Sequence, residues 1–282
     1  MMRSQRTSTN YLRLALLACV LIACIQTASP QNSADDEKPW FDSFVRWATP
    51  LPPESFNSRG KIEQMYRQKL AAEGLTPSRV EQRWSSILKQ QGGNEGWSTL
   101  FLNKRYSAGW YEGTPPSKYL VEFAKGRVAG KVLDCGTGAG RNAVLLASLG
   151  WDVTGIDISD VALERANALA DKAGVKIRYF LSSYREFNWG KDGWDLIVNI
   201  DSWDGEGRTA STFAAAPLRE ALKPGGLLYI ESHLPALTSS DQTLVKAFSG
   251  LKVVKYELSV DPDWTGASNK MVMFIAQRPT HQ

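Results

Sequence analysis

Residues 132–140 read Val-Leu-Asp-Cys-Gly-Thr-Gly-Ala-Gly, three glycines at alternate positions directly behind a short apolar run. Such a backbone turns where side chains would block it, and it can approach a ligand closely. Lys131, Val132 and Leu133 suit a short buried strand before the turn, and Ala143 to Leu149 begins a helix after it. A second strand, Asp152 to Ile156, then delivers Asp157 at its carboxyl end. Together these features make a nucleotide cradle. Ligands of open parallel sheets sit at the carboxyl ends of the strands, and a carboxylate there can accept both hydroxyls of a ribose.

The spacing narrows the choice of nucleotide. A dinucleotide site needs Gly-x-Gly-x-x-Gly, whereas Gly136, Gly138 and Gly140 alternate and Arg141 stands where the third dinucleotide glycine belongs. Asp134, two residues before the first glycine, is placed to hold the amides of the turn or a cationic ligand, and it is unhelpful beside a pyrophosphate. A sulfonium with an amino-acid tail suits the position better. From Asp134 to Gly140 the chain resembles the class I S-adenosylmethionine-dependent methyltransferases, whose first motif is an acid followed by x-Gly-x-Gly-x-Gly.

Further segments fall in that family's order. Asp195 to Ile200 resembles its fourth strand, Leu222-Lys223-Pro224-Gly225-Gly226 the turn before its fifth, and Leu227 to Glu231 that strand. A polar helix near Asp241 to Phe248 and strands from Leu251 to Val260 and Met271 to Gln277 resemble its terminal antiparallel hairpin. The resemblance spans Lys131 to Gln277. It implies an α/β fold: a Rossmann-like three-layer sandwich on a mostly parallel seven-stranded sheet, here with an N-terminal helical extension.

It also implies a site that binds S-adenosyl-L-methionine. Asp134, Gly136, Thr137, Gly138, Gly140 and Asp157 would hold the cofactor, with Ile158 as an apolar wall for the adenine and Asn199 at the end of the fourth strand. Ser183 stands where relatives often place the acid that accepts from the adenine amine, and a hydroxyl accepts that bond more weakly. The backbone amide of Tyr184 would serve a ring nitrogen. Methyl transfer to a soft nucleophile requires no base, while a hydroxyl or ammonium acceptor has to lose a proton. The candidates for that step are Asn199, Asp201, Trp203 and Asp204 after the fourth strand and His233 after the fifth, several with a second reading. Asp201 and Asp204 would cap the turn around Gly205 and Gly207, Trp203 would stack on a planar substrate or pack, and His233 would be an ordinary hydrogen-bonded histidine.

The acceptor is expected to be a small molecule. Asn199-Ile200-Asp201-Ser202 stands where many amine-directed members carry Asp/Asn-Pro-Pro-aromatic, and the three cysteines, Cys19, Cys24 and Cys135, provide no metalloid or metal ligand set. Lys104-Arg105-Tyr106, Gly113-Thr114-Pro115 and Leu120-Val121-Glu122 are loosely similar to the pre-motif segment of thiopurine, thiol and tellurite-resistance-type methyltransferases. The net charge of +4 falls to about +1 without Arg3, Arg6 and Arg13, and no polybasic block tracks a nucleic-acid backbone.

Those three arginines precede a mostly apolar run from Leu14 to Ile25, the pattern of an export leader over residues 1–29. Leu21-Ile22-Ala23-Cys24 resembles a bacterial lipobox, so the protein is expected to be exported or membrane-anchored on the periplasmic face, through the leader or a lipidated Cys24. Cytoplasmic residence is the alternative, as is a non-catalytic S-adenosylmethionine-binding accessory role. Residues 30–60 read as a linker touching the body through Trp40, Phe41 and Trp47, residues 61–95 as a helical hairpin, and residues 96–282 as the methyltransferase domain. The aromatics Trp97, Phe101, Tyr106, Trp110 and Tyr111 are expected to roof the pocket, as aromatics before the first strand commonly do in this family.

Overall fold

The computed structural model describes residues 34–91, 94–202, 215–233, 243–261 and 270–280. The leader, Cys24, Trp203 and Asp204 lie outside them. The chain falls into two units, Met1–Pro39 and Trp40–Gln282. Of the first, the described part is the start of the helix Ala34–Ala48.

In the second unit, seven strands form one sheet: β1 (Lys131–Cys135), β2 (Asp152–Asp157), β3 (Arg178–Leu181), β4 (Trp194–Ile200), β5 (Leu222–His233), β6 (Lys252–Val260) and β7 (Lys270–Gln277). Their order is β3-β2-β1-β4-β5-β7-β6. The pairings from β3 through β5 are parallel, and β7 runs antiparallel to both β5 and β6. The chain starts at β1, builds outward through β2 and β3, and returns to lay β4 on the other side of β1. That reversal opens a crevice at the carboxyl ends of β1 and β4, where ligands of such sheets bind.

Alternation along each strand explains how both faces are covered. On β4, Ile197 packs with Leu133, Leu218, Leu244 and Phe248 on one face. Leu196, Val198 and Ile200 pack with Val132, Leu120, Ala143 and Leu146 on the other. Period-2 burial on both sides gives the three layers. β5 begins earlier than the expected Leu227, because Leu222 already pairs with Trp194 before the register shifts and Leu227 pairs with Leu196. The Lys223–Gly226 turn is therefore a bulge within the strand.

The N-terminal part keeps the expected helical hairpin, as Arg59–Ala72 and Pro77–Gln91, but differs from the expected linker. Ala34–Ala48 is helical, a 3-10 turn spans Pro53–Phe56, and the helices Arg59–Ala72, Pro77–Gln91 and Glu95–Ser107 follow. Phe41, Phe44 and Ala48 recur at helical spacing and are buried. Pro39 inside that helix interrupts the pattern at its start. Phe44 is fully buried, with ring centroids 4.9 Å from Tyr66, 5.7 Å from Trp84 and 4.7 Å from Trp97. The extension thus has an aromatic core of its own, shared by four helices.

The helix Glu95–Ser107 joins this core to the sheet domain. Asn94 caps it by accepting from the Trp97 amide, and Trp97 and Phe101 enter the aromatic core. Asn103 instead donates to Asp160 at 2.6 Å and accepts from Ser159 Oγ at 2.6 Å. Among the described residues, no helix is long and apolar enough to cross a membrane.

Truncation of Phe44 to alanine removes the ring against which Tyr66, Trp84 and Trp97 pack, so Phe44→Ala is expected to cost about 3–5 kcal/mol of stability in urea denaturation. A loss below about 1 kcal/mol would contradict an aromatic core centred there.

Candidate functional site

Asp157 ends β2, and its carboxylate organises the crevice. Oδ2 accepts the Gly138 amide at 2.9 Å and Oδ1 accepts the Ser159 amide at 2.9 Å. One bond holds the glycine turn after β1, and the other holds the entry to the helix Asp160–Ala173. Burial pushes the Asp157 carboxyl upward, and the amides of Ser159 and Gly138 work against that shift. Each oxygen keeps a lone pair beyond its amide bond, and the residue lines a cleft of about 1330 Å³.

The three motif glycines do different things. A Cβ on Gly138 would collide with the Tyr106 hydroxyl, and one on Gly136 would collide with Ser202. Gly140, at φ 83°, caps the helix Arg141–Ser148, and its Cβ would fall 2.8 Å from the Tyr179 hydroxyl and 2.9 Å from Ala166 Cβ. Gly138 therefore lies under an aromatic roof residue, while Gly140 permits close packing of the helix beneath the turn.

Asp134 lies behind the turn and is buried. Its Oδ2 accepts from the Thr137 hydroxyl at 2.7 Å, so it holds the loop through a side chain. Burial raises its carboxyl to about 6, the Thr137 bond lowers it, and the charge of Asp157 raises it further.

Beyond β3, Ser183 and Tyr184 line the same cleft. Ser183 Oγ is buried with no hydrogen-bond partner. The Tyr184 hydroxyl donates to Ser202 Oγ at 2.9 Å, Ser202 donates to the Cys135 carbonyl at 2.8 Å, and Asn199 Nδ2 donates to Tyr184 at 3.2 Å. This chain ties the ends of β1 and β4 to the loop after β3. Asn199 lies behind the cleft as part of it, and its Oδ1 is buried without a partner.

Asp201 and His233, read separately in the sequence, form a pair at the cleft. Asp201 Oδ1 accepts from the His233 amide at 3.1 Å and stands 2.8 Å from His233 Nδ1, while Nε2 lies 3.2 Å from Asp261 Oδ2. Burial lowers the imidazole pKa, but the two carboxylates outweigh it and the net shift is upward. His233 thus has both ring nitrogens engaged by carboxylates. Asp201 reaches the pair with a left-handed backbone, φ 53°, and its amide donates to the Glu231 carbonyl at 2.9 Å.

The roof comes from Tyr106, Trp110 and Tyr111, with Arg105 and Arg141 among them. Trp97 and Phe101 serve the helical core and reach the cleft at its far edge. Of the candidate residues, Gly136, Thr137, Gly138, Asp157, Ile158, Ser183, Tyr184, Asp201 and His233 line one cleft. Asp134, Gly140 and Asn199 support it from behind. Sequence reasoning did not assign Arg105, Ser202 or Asp261 to this region; Arg105 was legible only as part of a motif string.

Suitability for an adenosyl group follows from this geometry. Asp157 presents two accepting oxygens, the glycine turn lines the cleft without side chains at Gly136 and Gly138, and the orphaned Ser183 hydroxyl lacks the partner that buried polar groups normally have.

Comparison with known proteins agrees with this architecture. Residues 132–226 match the family described as a methyltransferase domain. The chain is 32% identical over 133 residues to the release factor glutamine methyltransferase of Bordetella pertussis, covering 42% of this chain and 49% of that protein. It is 26% identical over 157 residues to the ubiquinone biosynthesis O-methyltransferase of Shewanella pealeana, covering 55% and 62%. The chain thus spans about half to three fifths of the length of these curated relatives. The magnesium protoporphyrin IX methyltransferase of Synechocystis PCC 6803, solved with bound SAH, superposes with a TM-score of 0.51 at 14% identity over 65% of this chain and 99% of that one. This last likeness is one of fold.

The raised Asp134 carboxyl has a pH consequence. The folded protein keeps this proton above pH 3.8, where an unfolded aspartate loses it, so stability falls as pH rises from about 4 to about 6 and is level above that. The cost is on the order of 3 kcal/mol at neutral pH. In thermal denaturation, the Tm advantage of Asp134→Asn over the wild type is expected to grow between pH 4 and pH 6 and then level off. An advantage that stays flat or shrinks over that interval would contradict a strained Asp134 carboxylate.

Proposed function

We propose, for a chain that carries a class I S-adenosylmethionine-dependent methyltransferase domain, that the cleft binds this cofactor and passes its methyl group to a small-molecule acceptor by in-line displacement. The observation that carries the reading is the Asp157 carboxylate, buried at a strand end with one amide on each oxygen and room for two ribose hydroxyls. Ile158 beside it offers an apolar face for the adenine, and Ser183 offers a hydroxyl to the adenine amine.

When bound, S-adenosylmethionine supplies a methyl carbon already activated by positive sulfur. The protein then has to align the acceptor and exclude water. Tyr106 over Gly138, with Trp110 and Tyr111 beyond it, closes the cleft on the side of the glycine turn. A volume of about 1330 Å³ exceeds the roughly 300–1,000 Å³ of a single small-molecule site, which leaves space for a cofactor and an acceptor together.

Asp201 is the group placed to take a proton from a hydroxyl acceptor. His233 fixes its orientation, while Asp261 holds the far side of the imidazole. An oxygen acceptor accords with the O-methyltransferase relatives. A glutamine amide, the acceptor named for the other relative, is disfavoured by Asn199-Ile200-Asp201-Ser202 in place of a proline-containing amine-binding motif.

Calorimetry with S-adenosylmethionine and S-adenosylhomocysteine tests the cofactor site: the wild type is expected to bind both, and Asp157→Ala to weaken each by at least tenfold. No binding by the wild type, or unchanged binding by Asp157→Ala, would sink the assignment. In the same series, Asp201→Asn is expected to keep cofactor affinity within about threefold while lowering kcat on hydroxyl acceptors by on the order of 100-fold. An unchanged kcat removes Asp201 from the proton path.

A further inference from the structure

We propose that Arg105 forms an anion-binding subsite in the cleft roof, one that selects acceptors with a carboxylate or phosphate attached to a planar ring. The proposal rests on the methyl-transfer reading above and names the substrate class for it.

Arg105 lies in the last turn of the helix Glu95–Ser107, directly before Tyr106, whose hydroxyl covers Gly138. Its guanidinium carbon is 3.6 Å from the centroid of Trp110 and 5.6 Å from that of Phe101. Two aromatic rings therefore attend the cation, and its Nε is buried with no hydrogen-bond partner. Among the described residues, no carboxylate lies within ion-pair distance of Arg105. Burial depresses the guanidinium pKa, Tyr111 and Tyr106 partly offset this, and Arg59 depresses it further.

Arg59 compounds the imbalance. Its guanidinium lies 5.8 Å from the same Phe101 ring, and among the described residues it too has no ion-pair partner. Arg141, whose Nη1 donates to the Pro115 carbonyl, lies 4.8 Å from the Tyr111 ring. Arg59, Arg105 and Arg141 thus all line the cleft, and among the described residues none of the three has an ion-pair partner. The nearby acids are otherwise engaged: Asp157 with two amides, Asp201 with His233, and Glu95 with Arg185 at 3.7 Å. Glu112 is exposed.

A partly desolvated cation without a counter-charge is costly, and like charges beside it add to that cost. An oxyanion from a ligand relieves both, and the planar fork of arginine matches a carboxylate or phosphate with two parallel bonds. The rings define the rest of the acceptor. Trp110 and Tyr111 lie 4.4 Å apart with planes 30° from parallel, and Tyr111 is held in a left-handed backbone at φ 59°. Trp110 carries the Arg105 guanidinium against its ring and Tyr111 carries that of Arg141, so these aromatic edges flank the arginine in the cleft wall, where a flat ring with an anionic end can lie beside them.

The experiment titrates benzoate, phenyl phosphate and benzyl alcohol into the full chain saturated with S-adenosylhomocysteine, for the wild type, Arg105→Gln and Arg105→Lys. At least one anion is expected to bind the wild type ten times more tightly than benzyl alcohol, and whichever of benzoate and phenyl phosphate binds better identifies the oxyanion. Arg105→Gln is expected to abolish the preference, Arg105→Lys to keep part of it, and S-adenosylhomocysteine affinity to stay within threefold. An absent preference in the wild type, or one that survives Arg105→Gln, overturns the subsite. A tenfold loss of S-adenosylhomocysteine affinity in Arg105→Gln also overturns it, by giving Arg105 to the carboxylate of the cofactor. Should Arg105→Gln fail to fold, the exposed Arg59→Gln is expected to reduce the preference about threefold, and no reduction counts against the proposal. Failure of the wild type to bind S-adenosylhomocysteine at all defeats the methyl-transfer reading instead, so the two failures are distinct.

Discussion

Everything at the carboxyl end of the sheet depends on the two amide bonds that Asp157 accepts. The Gly138 bond fixes the turn after β1, and the Ser159 bond fixes the entry to the helix after β2. Because one carboxylate makes both, the glycine turn and the ribose-facing oxygens are set by the same residue. Thr137 reinforces the loop from below through Asp134, and the Asn199–Tyr184–Ser202 chain brings in the ends of β3 and β4. The cradle is stiff because it is cross-tied by polar groups that are themselves buried, where an unmade bond is costly.

The helical extension and the sheet domain meet through one helix. Glu95–Ser107 puts Trp97 and Phe101 into the aromatic core, Asn103 onto the cap of the helix after β2, and Tyr106 over the glycine turn. The same helix thus links the aromatic core to the roof of the cleft through Tyr106 and to the cradle through Asn103 and Ser159. Lys104, which donates to the Leu51 carbonyl at 2.8 Å, adds a second tie between the extension and this helix.

The sheet was readable from the chain because each central strand is a short apolar run ended by glycine or an acid, and the order of those runs is distinctive. The helix Ala34–Ala48 was not, since Pro39 breaks its pattern and the recurrence of Phe41, Phe44 and Ala48 acquires meaning only against rings from three other helices. At the site, Asp157, the glycines and Ser183 were legible from spacing and from a family likeness. The pairing of Asp201 with His233 was not: 32 residues separate them, and only the adjacency of β4 and β5 brings them together. Gly140 shows the converse, a motif residue whose space is filled by Tyr179 and Ala166. Arg105 was legible only within its motif, because its lack of an ion-pair partner among the described residues is a property of its surroundings in space.

The most direct measurement is a crystal structure of the full chain with S-adenosylhomocysteine. The ribose hydroxyls are expected within hydrogen-bond distance of both Asp157 oxygens, with the adenine against Ile158 and its amine at Ser183. A ligand bound elsewhere, or a ribose facing away from Asp157, would contradict the central role given to that carboxylate.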